Sequence, residues 1–377
     1  MKKCYIISGE PSGDLHASNM LRELKLIDPD FEFRYWGGDL MEQQIGHKPV
    51  KHIRDLAFMG FVEVAKNLRT ILNNIKFCKQ DILDFKPDVL LLVDYPGFNL
   101  RIAEWAKKQG ITVYYYISPT IWAWKENRVE IIKRSVDKFF VILPFEVDVY
   151  KKHNYHVDYV GHPLLDAIEQ QKPTLPSRAD FLAKNKLADK PIVAVLPGSR
   201  RQEIDKMLGV MLNVIKTYKD YQFVIAGTNN LPKEAYQRAF DMGISVIFNQ
   251  TYPLMYHAYA GIIKSGTSTL EAALFSLPQV ICYKGGAVSY AIAKAVVGGR
   301  LKYIGLPNLI MDRPVVKELV QEALTEKNLS DELNLLFDQK ERERILSDYK
   351  DLQVLLGNSG ASKKAAGLFV KYLHESK

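Results

Sequence analysis

Short runs of consecutive apolar residues alternate along this chain with longer stretches in which apolar positions recur every three or four residues. The runs at 4–8, 31–36, 89–93, 113–117, 139–142 and 157–160 predict strands, and helical periodicity fills the gaps between them. The rhythm repeats at 192–196, 223–226, 246–248, 261–264 and 280–282. Strands that alternate with helices build parallel sheets covered on both faces. The polar stretch 170–177, with Pro173 and Pro176, has no periodicity and reads as a linker. The expected fold class is therefore α/β: two doubly wound, Rossmann-like parallel-sheet domains, 1–168 and 169–345, facing a cleft. Beyond about Val315 the pattern predicts only helices, and a helical C-terminus, 346–377, is free to pack back on the first domain.

A chain of 377 residues exceeds what one open α/β core needs, which agrees with two domains. Hydrophobic residues at 47% and charged residues at 25% exclude a disordered or fibrous chain. The longest aliphatic run, 89–93, is far below the ~18 residues of a membrane span, and the opening residues are too short for a signal segment. A cytoplasmic protein is expected. Cys4, Cys78 and Cys282 lack metal-ligand spacing and read as reduced core thiols. The formal charge of +8 points to an anionic partner: nucleotide phosphate, nucleic acid or an acidic membrane surface. No RNA-binding signature or metal-finger spacing accompanies it, so no nucleic-acid partner is expected.

Open α/β sheets bind ligands beyond the carboxyl ends of their strands, so the loops after strands carry the candidate chemistry. Ser265, Gly266, Thr267, Ser268, Thr269 and Glu271 lie where a buried strand turns into a helix. Hydroxyls and unpaired amides at a helix N-terminus suit phosphate, and Glu271 suits a ribose diol. The same residues also fit a capping box of Ser268 and Glu271. Gly198, Ser199 and Arg200 follow the first strand of the second half, where a guanidinium fork can clamp phosphate oxygens. A solvated Arg200–Arg201 pair beside a turn would look alike.

Asp94 ends the strand 89–93 and is the leading general-base candidate, because a partly desolvated carboxylate accepts a proton more readily. It also fits an acid that pins the turn at Pro96-Gly97. The first strand runs into Gly9, Glu10, Gly13 and Asp14, whose acids oppose pyrophosphate binding and suit a hydroxyl-rich acceptor, with Asp14 also placed to cap a helix. Asp28 and Asp30, the one Asp-x-Asp pair of the kind that holds a divalent ion, sit in a helix-to-strand turn, so no metal is expected. Phe61, Val64, Ala65, Leu68, Ile71, Leu72 and Ile75 form a helical stripe flanked by Lys66, Arg69, Lys76 and Lys79, with Met59 just ahead. Such a basic amphipathic stretch lies at an anionic bilayer or faces a core.

The blocks Gly9-Glu10-Pro11-Ser12-Gly13-Asp14, Met59-Gly60-Phe61-Val62-Glu63-Val64, Asp94-Tyr95-Pro96-Gly97-Phe98-Asn99, Ser118-Pro119-Thr120-Ile121-Trp122-Ala123-Trp124, Leu196-Pro197-Gly198-Ser199-Arg200, Ser265-Gly266-Thr267 and Leu306-Pro307-Asn308-Leu309 together resemble the lipid-A-disaccharide synthase family. The match runs from the first strand to about residue 320. The resemblance implies a glycosyltransferase-B fold that needs no cofactor or metal. It implies inverting transfer from UDP-2,3-diacylglucosamine to the 6-hydroxyl of 2,3-diacylglucosamine 1-phosphate, with release of UDP. Asp94 would act as base, with Glu10 or Asp14 as substitutes. Arg200, Thr267 and the helix behind it would stabilise departing UDP, with Ser199, Ser265, Gly266, Ser268 and Thr269 around it. Glu271 would hold the ribose and Asn308 a polar group of the donor. Met59, Phe61, Val64, Lys66, Leu68, Arg69, Ile71, Leu72, Trp122 and Trp124 would meet the acyl substrates and the cytoplasmic face of the inner membrane, with the protein bound peripherally. A homodimer is the assembly the resemblance allows. Many relatives carry an acid where this chain has Gly97, so a second carboxylate beside Asp94 is missing. A UDP-N-acetylglucosamine epimerase of the same architecture, and a non-catalytic membrane-surface nucleotide-binding adaptor, are the competing expectations.

Overall fold

The computed structural model describes residues 2–56, 68–119, 127–286 and 302–375. Two compact units form, one from residues 1–167 and 358–377 and the other from 168–357. The first begins β1 (Lys2–Ser8), α1 (Pro11–Ile27), β2 (Phe31–Gly37), α2 (Asp39–Ile45), β3 (Lys51–His52), α3 (Leu68–Phe85) and β4 (Val89–Val93). It continues through α4 (Pro96–Lys108), β5 (Thr112–Tyr116), α5 (Asn127–Ser135), β6 (Lys138–Val141), α6 (Glu146–Lys151) and β7 (Asp158–Tyr159). The strands pair in the order β3-β2-β1-β4-β5-β6-β7, and every pair is parallel. Val89 to Val93 are all buried, as a strand covered on both faces requires. On one face Ile75, Cys78 and Ile82 of α3 join Leu90, Leu92, Ile102 and Tyr115 in a single apolar cluster.

The chain passes into the second unit within α7 (Pro163–Gln171) and continues with α8 (Arg178–Asn185), β8 (Ile192–Leu196), α9 (Arg201–Ile215), β9 (Gln222–Gly227), α10 (Gln237–Asp241) and β10 (Ser245–Phe248). There follow α11 (Thr251–His257), β11 (Ala260–Lys264), α12 (Thr267–Leu274), β12 (Gln279–Tyr283), α13 (Leu306–Met311), β13 (Glu318–Val320), α14 (Glu326–Phe337) and α15 (Gln339–Leu356). This sheet is also wholly parallel, in the order β10-β9-β8-β11-β12-β13. The last helix, α16 (Ala361–Glu375), belongs to the first unit. There it packs on α1, and its Phe369 ring meets Phe31 and Tyr114. Asp166 ties down its first turn by accepting from the amides of Gly360 and Ser362.

Three details depart from the sequence reading. β3 and β13 are too short, at two and three residues, to leave a period-two signal. The second unit runs to Gly357 rather than to 345, because α15 is anchored there. Tyr349 of α15 accepts from Gln279 at 3.0 Å, and its Asp348 holds Arg313 at 2.6 Å. The first boundary falls one residue earlier, after Ala167.

Candidate active-site loops

In each sheet the strand order reverses direction at one place, between β1 and β4 in the first unit and between β8 and β11 in the second. Loops leaving adjacent strands on either side of such a point diverge and leave a crevice at the carboxyl ends. Four of the loops read from the sequence leave these strands.

In the first unit, β4 runs into a turn in which Asp94 and Tyr95 both take left-handed backbone, with φ of 46° and 49°. Ile117, just past neighbouring β5, does the same at φ 72°. Left-handed backbone costs a non-glycine residue about 1–3 kcal/mol and is steepest for a β-branched one. Three such residues side by side persist only because their surroundings over-determine them. The Asp94 amide donates to Tyr116 O at 3.0 Å. Its carbonyl accepts from Asn99 Nδ2 at 2.7 Å and from the Tyr115 hydroxyl at 2.6 Å. Asn99 also reaches Ile7 O and Val93 O, tying the ends of β1 and β4 together. The main chain is thus held by its own groups, which leaves the carboxylate for chemistry. Burial pushes the Asp94 carboxyl up to about 7, and the charge of Glu10 adds to the effect. The Tyr95 amide and the half-buried Arg128 guanidinium pull it back. A carboxylate poised near neutrality is what proton abstraction at physiological pH needs.

Asp14 has a structural job that its sequence position does not show. It is buried and accepts from the amides of Gly38 at 2.7 Å, Leu40 at 3.1 Å and Met41 at 3.2 Å. Both oxygens accept from the first turn of α2, so Asp14 anchors that helix to α1. His16 is a packing histidine whose burial lowers it to about 4.

In the second unit, Gly198 takes φ 120°, and a Cβ there would stand 2.3 Å from Glu203 Oε2. Glu203 accepts from the Ser199 amide at 3.0 Å through the same oxygen. Its Oε1 lies 3.6 Å from Arg200 Nη1 and 2.7 Å from Lys264 Nζ. Ser199 and Arg200 are exposed at the start of α9. After β11, Gly266 caps α12 and exposed Thr267 opens it, so the amides of Thr267 and Ser268 have no acceptor within the helix. Glu271 accepts from the Tyr252 hydroxyl at 2.9 Å. Burial raises its carboxyl, while hydrogen bonds from Tyr252 and Ser268 lower it. Ser268 and Glu271 therefore do interact, but the capping position is Gly266.

Three residues expected to meet a ligand are hydrogen-bonded inside the unit. The Ser265 hydroxyl donates to Ile304 O at 2.9 Å. Buried Thr269 donates to Gly266 O at 2.8 Å and accepts from the Leu306 amide at 3.3 Å. Buried Asn308 donates to Val316 O at 2.8 Å and Glu318 Oε1 at 2.9 Å, and accepts from the Val316 amide at 2.9 Å. Each braces the loop after β11 or the segment behind it. Arg128, Glu203, Tyr252 and Lys264 went unread. Glu203 alone carried a local signal, the three-residue step from Arg200 on a predicted helix; the others arrive from distant sequence.

On α3, Ile71 packs with the core cluster and Ile75 is buried in it, whereas Arg69 and Leu72 are exposed. The stripe therefore splits between core and surface. Met59, Phe61, Val64, Lys66, Trp122, Trp124 and the Leu68 side chain lie outside the described residues. Among the described residues no cluster of His, Cys, Asp and Glu could hold a metal ion, and no helix is long and apolar enough to cross a membrane.

Comparison with known proteins identifies the family. A family model described as Lipid-A-disaccharide synthetase matches residues 4–371. A lipid-A-disaccharide synthase of Trichlorobacter lovleyi is 35% identical over 387 aligned positions, covering 100% of this chain and 98% of that protein. One of Coxiella burnetii is 36% identical, covering 97% of each. Among solved structures, the UDP-GlcNAc 2-epimerase of Neisseria meningitidis bound to UDP-GlcNAc superposes with a TM-score of 0.70 at 16% identity, covering 98% of this chain and 100% of that one. The glycotransferase of kitacinnamycin superposes at 0.61 with 14% identity, covering 99% of each. At such identities the structural likeness speaks for the two-sheet fold alone. The sequence matches speak for more: the chain belongs to the lipid-A-disaccharide synthase family.

Proposed function

We propose that this chain is an inverting hexosyltransferase that moves 2,3-diacylglucosamine from its UDP carrier to the 6-hydroxyl of 2,3-diacylglucosamine 1-phosphate. The products are the β-1,6-linked disaccharide 1-phosphate and UDP. Family membership supports the reaction, and the observation that carries the mechanism is Asp94. It is a carboxylate raised to about 7, on a strained turn beside the switch point of the first sheet.

The acceptor's C6 oxygen attacks the anomeric carbon from the face opposite the diphosphate and gives its proton to Asp94. The new C–O bond forms as the bond from the anomeric carbon to the β-phosphate oxygen breaks, and its electron pair leaves on UDP. One displacement inverts the centre. Charge on the leaving group is met by Arg200 and by the amides of Thr267 and Ser268 at the α12 N-terminus, a preorganised arrangement of the kind worth ~10²-fold or more per donor. Glu271, oriented by Tyr252, accepts from the ribose hydroxyls. Both substrates are acylated, so the reading places the enzyme peripherally on the cytoplasmic face of the inner membrane, with exposed Leu72 and Arg69 of α3 toward the lipid.

The test is direct. Purified protein mixed with the two acylated glucosamine substrates should yield the disaccharide phosphate by mass spectrometry, at equal rates in EDTA and in magnesium. UDP-N-acetylglucosamine alone should return unchanged. An isomer in that control, or no disaccharide from the acylated pair, overturns the reading.

A further inference from the structure

Lys264 is a cation that the reaction above does not use. It is the last residue of β11, immediately before the phosphate loop, and its ammonium is drawn away from water, with the side chain only 20% exposed. Its Nζ stands 2.7 Å from Glu203 Oε1 and 3.7 Å from where a Cβ on Gly266 would lie. The charge is therefore parked beside the glycine that caps α12. Glu203, 16% exposed, is the meeting point of both loops: it takes the Ser199 amide on one oxygen and faces Arg200 and Lys264 with the other.

The electrostatics of this cluster do not balance. One carboxylate faces a guanidinium, an ammonium and a main-chain N–H, with the N-termini of α9 and α12 close by in sequence, which leaves a net positive charge. As a stability device the arrangement is poor, because ion pairs drawn partly out of water gain little over their desolvation cost. As a seat for an anion it is well made. The amide, guanidinium and ammonium now shared by the Glu203 carboxylate are the donor types that phosphate oxygens take.

We propose that Lys264 binds the diphosphate of the donor nucleotide, and that Glu203 holds it in readiness by standing in for a phosphate oxygen until the nucleotide arrives. The proposal rests on the reading of this unit as the UDP-sugar site. It gives the site a second cation beside Arg200.

Isothermal titration of UDP into wild-type protein, Lys264→Met and Lys264→Arg tests it. The methionine variant should bind UDP about tenfold more weakly at low salt, and the arginine variant should recover most of the loss. Affinity in the methionine variant should also fall less steeply with added KCl than in wild type, because one charge fewer is engaged. If Lys264→Met does not fold, Lys264→Gln, which keeps a donor to Glu203 without the charge, carries the same comparison. Wild-type affinity and wild-type salt dependence in the uncharged variant overturn the role of Lys264 while leaving the donor site standing. Failure of wild-type protein to take up UDP overturns the donor site itself, and the role of Lys264 with it.

Discussion

The ring of Tyr95 lies across Gly9, so closely that a Cβ at residue 9 would stand 2.3 Å from Tyr95 Cδ1. The loops after β1 and β4 are thereby fitted face to face, and the left-handed pair Asp94-Tyr95 is wedged in place from the side of β1. A methyl group at residue 9 has to push a ring that also stacks on Phe98 at 5.6 Å. Gly9→Ala should therefore cost about 1–3 kcal/mol of stability, as overpacking does. It should lower transferase activity by at least ~10-fold, because displaced reacting groups lose that much readily. UDP affinity, which the proposed function assigns to the other unit, should not change. Denaturant titration, initial rates and UDP calorimetry on one preparation separate the three effects.

Asp94 links activity to pH with a definite sign. As the proposed base it would work only when ionised, so kcat/KM should climb about tenfold per pH unit below about 7 and level off above it. The Glu10 charge helps to hold the carboxyl up, so Glu10→Gln should move that limb to lower pH. Stability runs the other way. A carboxyl raised from 3.8 to about 7 on folding contributes stability that is complete below 3.8 and is lost as pH rises through 7. Asp94→Asn should thus be as stable as wild type near pH 3 and more stable at pH 8, by on the order of 1–3 kcal/mol, while turnover falls ~10²-fold or more. A mutant that is inactive and no sturdier than wild type at pH 8 would mean that Asp94 is not held near neutrality.

Asn308 separates bracing from ligand binding. Both ends of its amide are engaged with Val316 and Glu318 in a buried site. Glu318 in turn accepts from the amides of Ile304 and Gly305 at 2.9 Å each. Asn308→Ala leaves a buried main-chain amide and carbonyl and part of a carboxylate without their partner, which costs about 2–4 kcal/mol. Thermal unfolding should register the loss. UDP affinity, measured well below the new melting temperature, should stay within about threefold of wild type.

The contrast between Asp94 and Asn308 shows what was legible in the sequence. Asp94 could be read because a buried run of Val and Leu ends at it, and a parallel strand's carboxyl end is where chemistry sits. The two-sheet fold was legible for the same reason, since its long buried strands are continuous apolar runs. Ser265 and Thr269 lie in the loop after β11 and Asn308 in the later Leu306–Leu309 block, but their polar atoms are engaged by main chain that only folding brings near: Ile304 for Ser265, Leu306 for Thr269 and Val316 for Asn308. The anchoring role of Asp14 was hidden likewise: its partners are the amides of α2, more than twenty residues on. Lys264 and Tyr252 were missed because a lone Lys after a strand and a lone Tyr on a short helix have many ordinary explanations. Only the distances to Glu203 and Glu271 single them out.

Gly97 is where the sequence reading expects an acid in many relatives, and the structure says what an acid would do there. It is exposed in the first turn of α4, its φ is not positive, and a Cβ built on it meets nothing within 4 Å. Replacing glycine inside a helix gains about 0.5–1 kcal/mol, and a carboxylate in the first turn adds about 0.3–1 kcal/mol through the helix dipole. Gly97→Asp should accordingly raise stability by about 1 kcal/mol at neutral pH. The new charge lies three residues from Asp94, in the same turn, and like charges hold each other's protons. The acidic limb of the kcat/KM profile should therefore move to higher pH than in wild type, the opposite of Glu10→Gln. Combined with Asp94→Asn, the new acid also tests whether a carboxylate at 97 can take the proton itself. Residual turnover at least ~10-fold above Asp94→Asn alone is the expected result if position 97 reaches the acceptor hydroxyl. Equal rates in the two proteins would confine the proton to Asp94.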